Sequence, residues 1–204
     1  MRKETKTFEI YTFEELPTEV QNELIKKNRD INTFYEYWHD YLIEDFKEDD
    51  SIFNKTKVYY SGFWSQGDGA VFLYDRINQD FFYQFIEKEC NFLTEKRKQL
   101  IINNVTAHAK NTHSFRYYHE KSSTHQVELE TNETLNHHKH TNIINLLERI
   151  ENIFEAYLID TFENICIDFY RSLESHFNFL QEDEQVKETL ISLEKEYLID
   201  STEY

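Results

Sequence analysis

The sequence predicts an α+β protein: an antiparallel sheet of about four to six strands, with helices packed on one face and a long C-terminal helix. Three observations lead there. Short β-rich runs ("TFEIYTF", "KVYYSGF", "AVFLY", "VTAHAK", "SFRYYH", "HQVELE") are joined by short polar connections that suit antiparallel neighbours. A stripe of apolar residues from Ile143 to Leu180 recurs every three or four positions, close to one helical turn. All three glycines, Gly62, Gly67 and Gly69, fall in "YYSGFWSQGDGAVF", between two of the β-rich runs. The length of 204 residues suits one domain, with 17 Phe and 14 Tyr to fill its core.

Three stretches follow one another in that single domain. Residues 1–50 hold a strand and helices. Alternation predicts the strand over Thr7–Tyr11. Thr18 is a candidate N-cap, with Gln21 three residues on as in a capping box. Val20, Leu24 and Ile25 then form the stripe of a first helix. A second is expected from Asn32 to Lys47, its broad aromatic face carrying Phe34, Tyr37, Trp38, Tyr41, Leu42 and Phe46. Residues 51–141 hold the glycine-bearing hairpin, a helix from Gln79 to Ile102, and three strands at "VTAHAK", "SFRYYH" and "HQVELE". Residues 142–204 are helical: the long stripe, then a helix from Asp183 to Tyr197.

Charge narrows the function. The net charge is −17, with 14 acids and 7 bases in residues 1–50, 10 and 11 in residues 51–141, and 15 and 4 in residues 142–204. Such a chain repels nucleic-acid phosphates, whose binding needs clustered Lys and Arg, so no direct nucleic-acid partner is expected. An acidic face suits a basic partner. The candidates for that face are Asp45, Glu48, Asp49 and Asp50 before the hairpin, and Glu182, Asp183 and Glu184 at a helix start. Cys90 and Cys166 lie far apart in helical patterns and read as buried free thiols of a reducing compartment. No signal-peptide core and no long apolar run are present, which points to a soluble, intracellular protein with no membrane partner.

The glycine loop is the second candidate. Alternating Gly67-Asp68-Gly69 lets successive amides point one way and hold an anion. Phe63 and Trp64 offer rings for stacking, and Ser65, Gln66 and Asp68 add polar groups. With Arg76 and Arg116 to offset charge, these residues suit a phosphate-bearing or nucleobase-bearing small molecule. A bulged hairpin is the structural alternative. The loop is neither a phosphate-binding Walker loop nor a dinucleotide fingerprint. The histidines are the third candidate. Seven of nine fall between His108 and His140, and His113, His119 and His125 on neighbouring strands are the trio best placed to take zinc or another divalent metal as a hydrolase would. "HHKH", ending at His140, reads as a solvated helix cap. No nucleophile is nominated, no catalytic residue is assigned, and no cofactor is required.

Four segments, "TFEELPTEVQNELIKKNRDIN", "SGFWSQGDGA", "RYYHEKSSTHQVELE" and "FYRSLESHFNFLQEDEQV", resemble in order the segments of an uncharacterised family of small bacteriophage proteins whose signature is SGFWSQGDGA. The resemblance spans nearly the whole chain. It implies a phage accessory protein made in the cytoplasm of an infected bacterium, where such small acidic proteins antagonise host defence. The expectation is therefore a non-enzymatic inhibitor that binds a host defence protein through its acidic surface, mimicking nucleic-acid charge. A sponge or sensor for a nucleotide signal at the SQGDG loop is the alternative, and a metal-dependent hydrolase on the histidine strands the next.

Overall fold

The structure, a computed structural model, describes residues 7–35, 37–114, 116–132 and 141–202. The chain divides into two compact units: residues 41–172 form one, and the flanking segments, up to Asp40 and from Leu173, form the other. Each has its own apolar core.

In the unit of flanking segments, β1 (Tyr11–Thr12) pairs antiparallel with a two-residue strand at Glu196–Tyr197. The expected first strand is thus shorter and shifted. The capping-box bond also falls earlier than expected: the Thr12 N–H donates to the Glu15 carboxylate at 2.9 Å. Gln21 instead ties its side-chain amide to the Leu16 carbonyl. Helix α1 (Thr18–Lys27) starts behind Pro17 and lays Leu24 and Ile25 against Val186 and Leu190 of the helix Asp183–Ser192. That last helix stops before Tyr197, because Tyr197 belongs to the strand pairing with β1.

The helix expected over Asn32–Lys47 forms only in its second half, as α2 (Asp40–Glu48). Polar side chains tie down the chain ahead of it, Asn28 on its own preceding turn and Asn32 on distant partners. Asn28 Nδ2 caps the Leu24 carbonyl at 2.8 Å, Asn32 Nδ2 reaches the Leu180 carbonyl at 3.0 Å, and Asn32 Oδ1 accepts from the Thr189 hydroxyl at 2.7 Å. The aromatic residues there consequently leave the core. Phe34 is 80% exposed, and Tyr35 and Tyr37 are exposed too.

The larger unit is built on two hairpins. Strands β2 (Phe53–Tyr60) and β3 (Ala70–Ile77) pair antiparallel, with Tyr60 opposite Ala70 at the glycine-loop end and Phe53 opposite Ile77 at the other. Helix α3 (Gln79–Glu89), whose N-cap Asn78 accepts the Asp80 N–H, and helix α4 (Glu95–Asn104) follow. One helix was expected here. A turn with the Leu93 N–H on the Cys90 carbonyl breaks it, and both side chains go into the core. Strands β4 (Val105–His113) and β5 (Ser123–Thr131) then pair in unbroken register. The third strand expected at "SFRYYH" is absent among the described residues, which run irregularly from Ser114 to His119, Phe115 lying outside them. The "HHKH" cap also lies outside the described residues.

Among the described residues the expected sheet of four to six strands is replaced by three two-stranded sheets. The reason lies between β3 and β4, where side-chain amides do the work of a ladder. Asn111 donates to the Phe72 carbonyl at 2.9 Å and accepts the Tyr74 N–H at 2.8 Å. Gln79 does the same for Ala107, at 2.6 and 3.0 Å. Buried polar groups are satisfied this way without extending the sheet.

The predicted long helix spans Thr141–Leu180. Its stripe of Ile150, Phe154, Leu158, Phe162 and Cys166 is fully buried against Phe53, Phe72, Phe82 and Phe85. Rings dominate this core: Phe162 lies 4.7 Å from Phe72 and Phe154 lies 5.0 Å from both Phe82 and Phe85. Cys90 and Cys166 are both free and buried, and burial pushes both thiols up, Cys90 to about 11. Both are thiols, not thiolates, at neutral pH.

Candidate functional site

The loop between β2 and β3 is closed by its own side chains. The Ser61 N–H bonds the Gly69 carbonyl at 3.0 Å, and the Gly69 N–H bonds the Ser61 hydroxyl at 3.1 Å. Inside that clasp one Asp68 carboxylate oxygen accepts the N–H groups of Trp64 at 2.9 Å and Ser65 at 2.6 Å. The anion that these two amides hold is thus the loop's own carboxylate. From the long helix, the Tyr170 hydroxyl fixes the Gly62 carbonyl at 3.0 Å.

Two of the glycines are required by geometry. Gly67 has φ +100°, a conformation side chains disfavour, and a Cβ there would meet the Tyr117 ring at 3.3 Å. A Cβ on Gly69 would stand 2.7 Å from the Tyr118 carbonyl oxygen. The glycine loop therefore seats on the Tyr117 ring and on the backbone of Tyr118 and His119, in the segment expected to be a strand. Tyr118 also stacks on Tyr59 at 5.6 Å, the two rings almost parallel.

Around this seat the surface is aromatic and polar. Phe63 is half-buried against Tyr60 and Tyr170, while Trp64 is 76% exposed. Ser65 and Gln66 are exposed beside it. Arg116 stacks its guanidinium on the exposed Tyr117 ring at 5.4 Å, next to Gly67. Arg76 is not part of this group. It lies near the Ile77 end of β3, whereas the loop joins at Ala70, which at about 3.3 Å per residue puts it some 20 Å along the strand. Tyr117, Tyr118 and Tyr170 were not singled out from sequence. The tyrosines of "RYYH" sit next to Arg116, but nothing local marks them as the loop's support.

The structure does not bring the three candidate metal histidines together. His125 is tucked under the hairpins, its Nδ1 2.9 Å from the Tyr74 hydroxyl and its ring 4.6 Å from Phe162. Burial holds it down at about 4. His113, buried at the end of β4, has Nδ1 3.4 Å from the Ser123 hydroxyl, and burial lowers it too. His119 caps a short turn and faces Glu120 at 3.0 Å. Among the described residues no group of three or more His, Cys, Asp or Glu is arranged to hold a metal ion.

The acidic candidates all lie at the surface. Asp45, Glu48, Asp49 and Asp50 are exposed along the end of α2 and just beyond it. The Asp49 carboxyl is lowered by its bonds to Ser51, and Lys55 Nζ donates to the Asp49 carbonyl. Burial in turn pulls the Lys55 ammonium down. In the other unit, Glu182, Asp183 and Glu184 are exposed at the start of the helix Asp183–Ser192. Asp183 pairs with Arg29 at 2.5 Å and Glu184 with Lys187 at 3.9 Å. Among the described residues no helix is long and apolar enough to cross a membrane.

Fold and loop together define an α+β protein of two braced hairpins, with a glycine loop clamped by its own aspartate. Residues 38–183, well over half the chain, match a family described as a domain of unknown function, DUF8835, and the chain belongs to that family. No curated protein and no solved structure matches it.

Proposed function

We propose that this chain is a phage-encoded inhibitor that works in the cytoplasm of the infected bacterium, binding a host defence protein through an acidic surface. The observation that carries this reading is the run of exposed carboxylates Asp45, Glu48, Asp49 and Asp50. In so short a segment they present a field that mimics nucleic-acid charge to a basic groove, and such fields steer association. Glu182, Asp183 and Glu184 offer a second such group. The resemblance to phage proteins supports the setting. The test is a variant carrying Asp45→Lys, Glu48→Lys and Asp50→Lys, which leaves Asp49 on Ser51. Its unfolding should match the parent, while inhibition of the defence system and affinity for the captured protein should both be lost.

A second reading is favoured by the exposed Trp64 in a loop whose Gly67 lies against Tyr117, the ring that carries the Arg116 guanidinium. A ring and a guanidinium on one surface suit a nucleobase and its phosphate, so the chain would sequester a nucleotide signal at the SQGDG loop. A thermal-shift screen with cyclic nucleotides and ADP-ribose derivatives tests it. Stabilisation that Trp64→Ala and Arg116→Ala abolish supports this reading, and no shift with any ligand removes it.

A further inference from the structure

Among the described residues no strand pairs with the outer edge of the β4–β5 hairpin. Its ladder extends past both strand ends: the Ser114 N–H bonds the Ser122 carbonyl at 3.2 Å, and the Asn132 N–H bonds the Asn104 carbonyl at 3.0 Å. In an antiparallel pair the backbone groups of alternate residues point to the same side. Even-numbered residues of β5 therefore face β4, and the backbone groups of Ser123, His125, Val127 and Leu129 face away from it. Two of these are engaged: the Ser123 N–H bonds the Glu120 carbonyl, and the Leu129 N–H is taken by the Glu151 carboxylate of the long helix. The N–H and C=O groups of His125 and Val127 meet no strand among the described residues.

Proteins guard such edges with Lys, Pro, bulges or short strands. At the opposite hairpin β2 does so, with the exposed Lys57 and two breaks in register. Strand β5 carries none of these over nine residues and pairs without a break. The groups on its helix side are negative. Glu128 on the strand and Glu148 and Glu155 on the helix act on Glu151, whose carboxyl is raised by burial first and by these neighbours after it. The cation nearest them in sequence, Arg149, is turned onto the Phe92 ring at 4.1 Å. A groove of about 420 Å³ runs over the outer face of the same hairpin, lined by Asp75, His108, Lys110, Gln126, Val127 and Glu128.

We infer that the outer edge of β5, at His125 and Val127, takes up an extended, basic segment of the partner protein as an added strand. Main-chain bonds supply the affinity in this mode, and side-chain contacts supply the selection. Lysine or arginine side chains on the outer face of the incoming strand meet Glu128, and those on its other face meet Glu148 and Glu155 of the long helix. The inference rests on the reading that the chain acts by holding a protein partner, and it adds what kind of segment that partner offers.

The experiment is amide hydrogen exchange by NMR on the full chain, with a capped peptide alternating lysine and valine, and its glutamate–valine counterpart. The lysine peptide should slow exchange at His125 and Val127 by about tenfold or more, with Gln126 and Glu128, already bonded to β4, unchanged. The glutamate peptide should do nothing. Val127→Pro removes an outward N–H that the β4 ladder does not use, so the hairpin survives and the protection is lost, while Val127→Thr keeps it. Glu128→Lys with Glu148→Lys should weaken the lysine peptide by about tenfold, the scale of close charge pairs at an interface. Unchanged exchange at His125 and Val127, or equal binding of both peptides, overturns the inference. If the host protein is still captured in a manner sensitive to Asp45→Lys, Glu48→Lys and Asp50→Lys, only the strand edge fails; if capture fails too, the inhibitor reading fails with it.

Discussion

The Tyr74 hydroxyl lies 2.9 Å from Nδ1 of His125, beneath the two hairpins and against Phe162. Burial raises the phenol and depresses the imidazole to about 4, so Tyr74 keeps its proton and donates it to a neutral ring. The unfolded chain takes up the proton near the ordinary 6.5, the folded chain only near 4. Stability from this site is therefore complete above 6.5 and is lost as pH falls toward 4. Melting temperature should drop across that window more steeply in the parent than in His125→Gln. Parallel slopes would show that the pair is not buried as described.

Gly69 and Gly62 give contrasting outcomes for the same substitution. Gly69→Ala drives a methyl into the Tyr118 carbonyl, and the displaced backbone should cost about 1–3 kcal/mol in urea unfolding. At Gly62 the nearest atom to a Cβ is Asp68 Oδ2, at an ordinary 3.7 Å, so Gly62→Ala should lie within about 0.5 kcal/mol of the parent. Equal losses at the two positions would mean that the loop does not seat on residues 117–119.

Asp68→Ala removes the acceptor for two loop amides at once. The expected loss is about 1–2 kcal/mol, reduced from the full value because water reaches this loop. Because both amides belong to the stretch that holds Trp64 in place, the Trp64 fluorescence should change with it. A spectrum and a stability both equal to the parent's would contradict the clamp.

Asn111→Leu leaves the Phe72 carbonyl and the Tyr74 N–H buried without their partner. Unfolding should become easier by about 2–4 kcal/mol, large for a surface-like residue type and ordinary for a buried bridge.

The parts of this fold that were legible in the sequence are those decided locally. The spacing of Ile150, Phe154, Leu158 and Phe162 already states a helix with one buried face, and the structure buries all four. The three glycines mark a special stretch: Gly67 has a positive φ, and Gly69 leaves no room for a Cβ. Illegible were the parts decided by distant partners. "SFRYYH" reads as a strand because its residue types favour one, but Tyr118 and His119 are pressed against Gly69, some fifty residues earlier in the chain. The aromatic run from Phe34 to Tyr41 reads as a core helix until Asn32 is seen bonded to Leu180 and Thr189. Asn111 gave a faint signal, a polar residue at a buried position of an alternating strand, and that position is what joins β4 to β3. The histidine trio, expected on neighbouring strands, has separate partners in the structure: His125 meets Tyr74, His113 meets Ser123 and His119 caps a turn.

The most direct measurement is the affinity of the purified chain for its captured host protein across a salt series, for the parent and for the variant with Asp45→Lys, Glu48→Lys and Asp50→Lys. An inhibitor that works through exposed carboxylates should bind less tightly as salt rises, and the variant should lose at least about tenfold at physiological ionic strength. Equal affinity of parent and variant, flat across the salt series, would contradict the account.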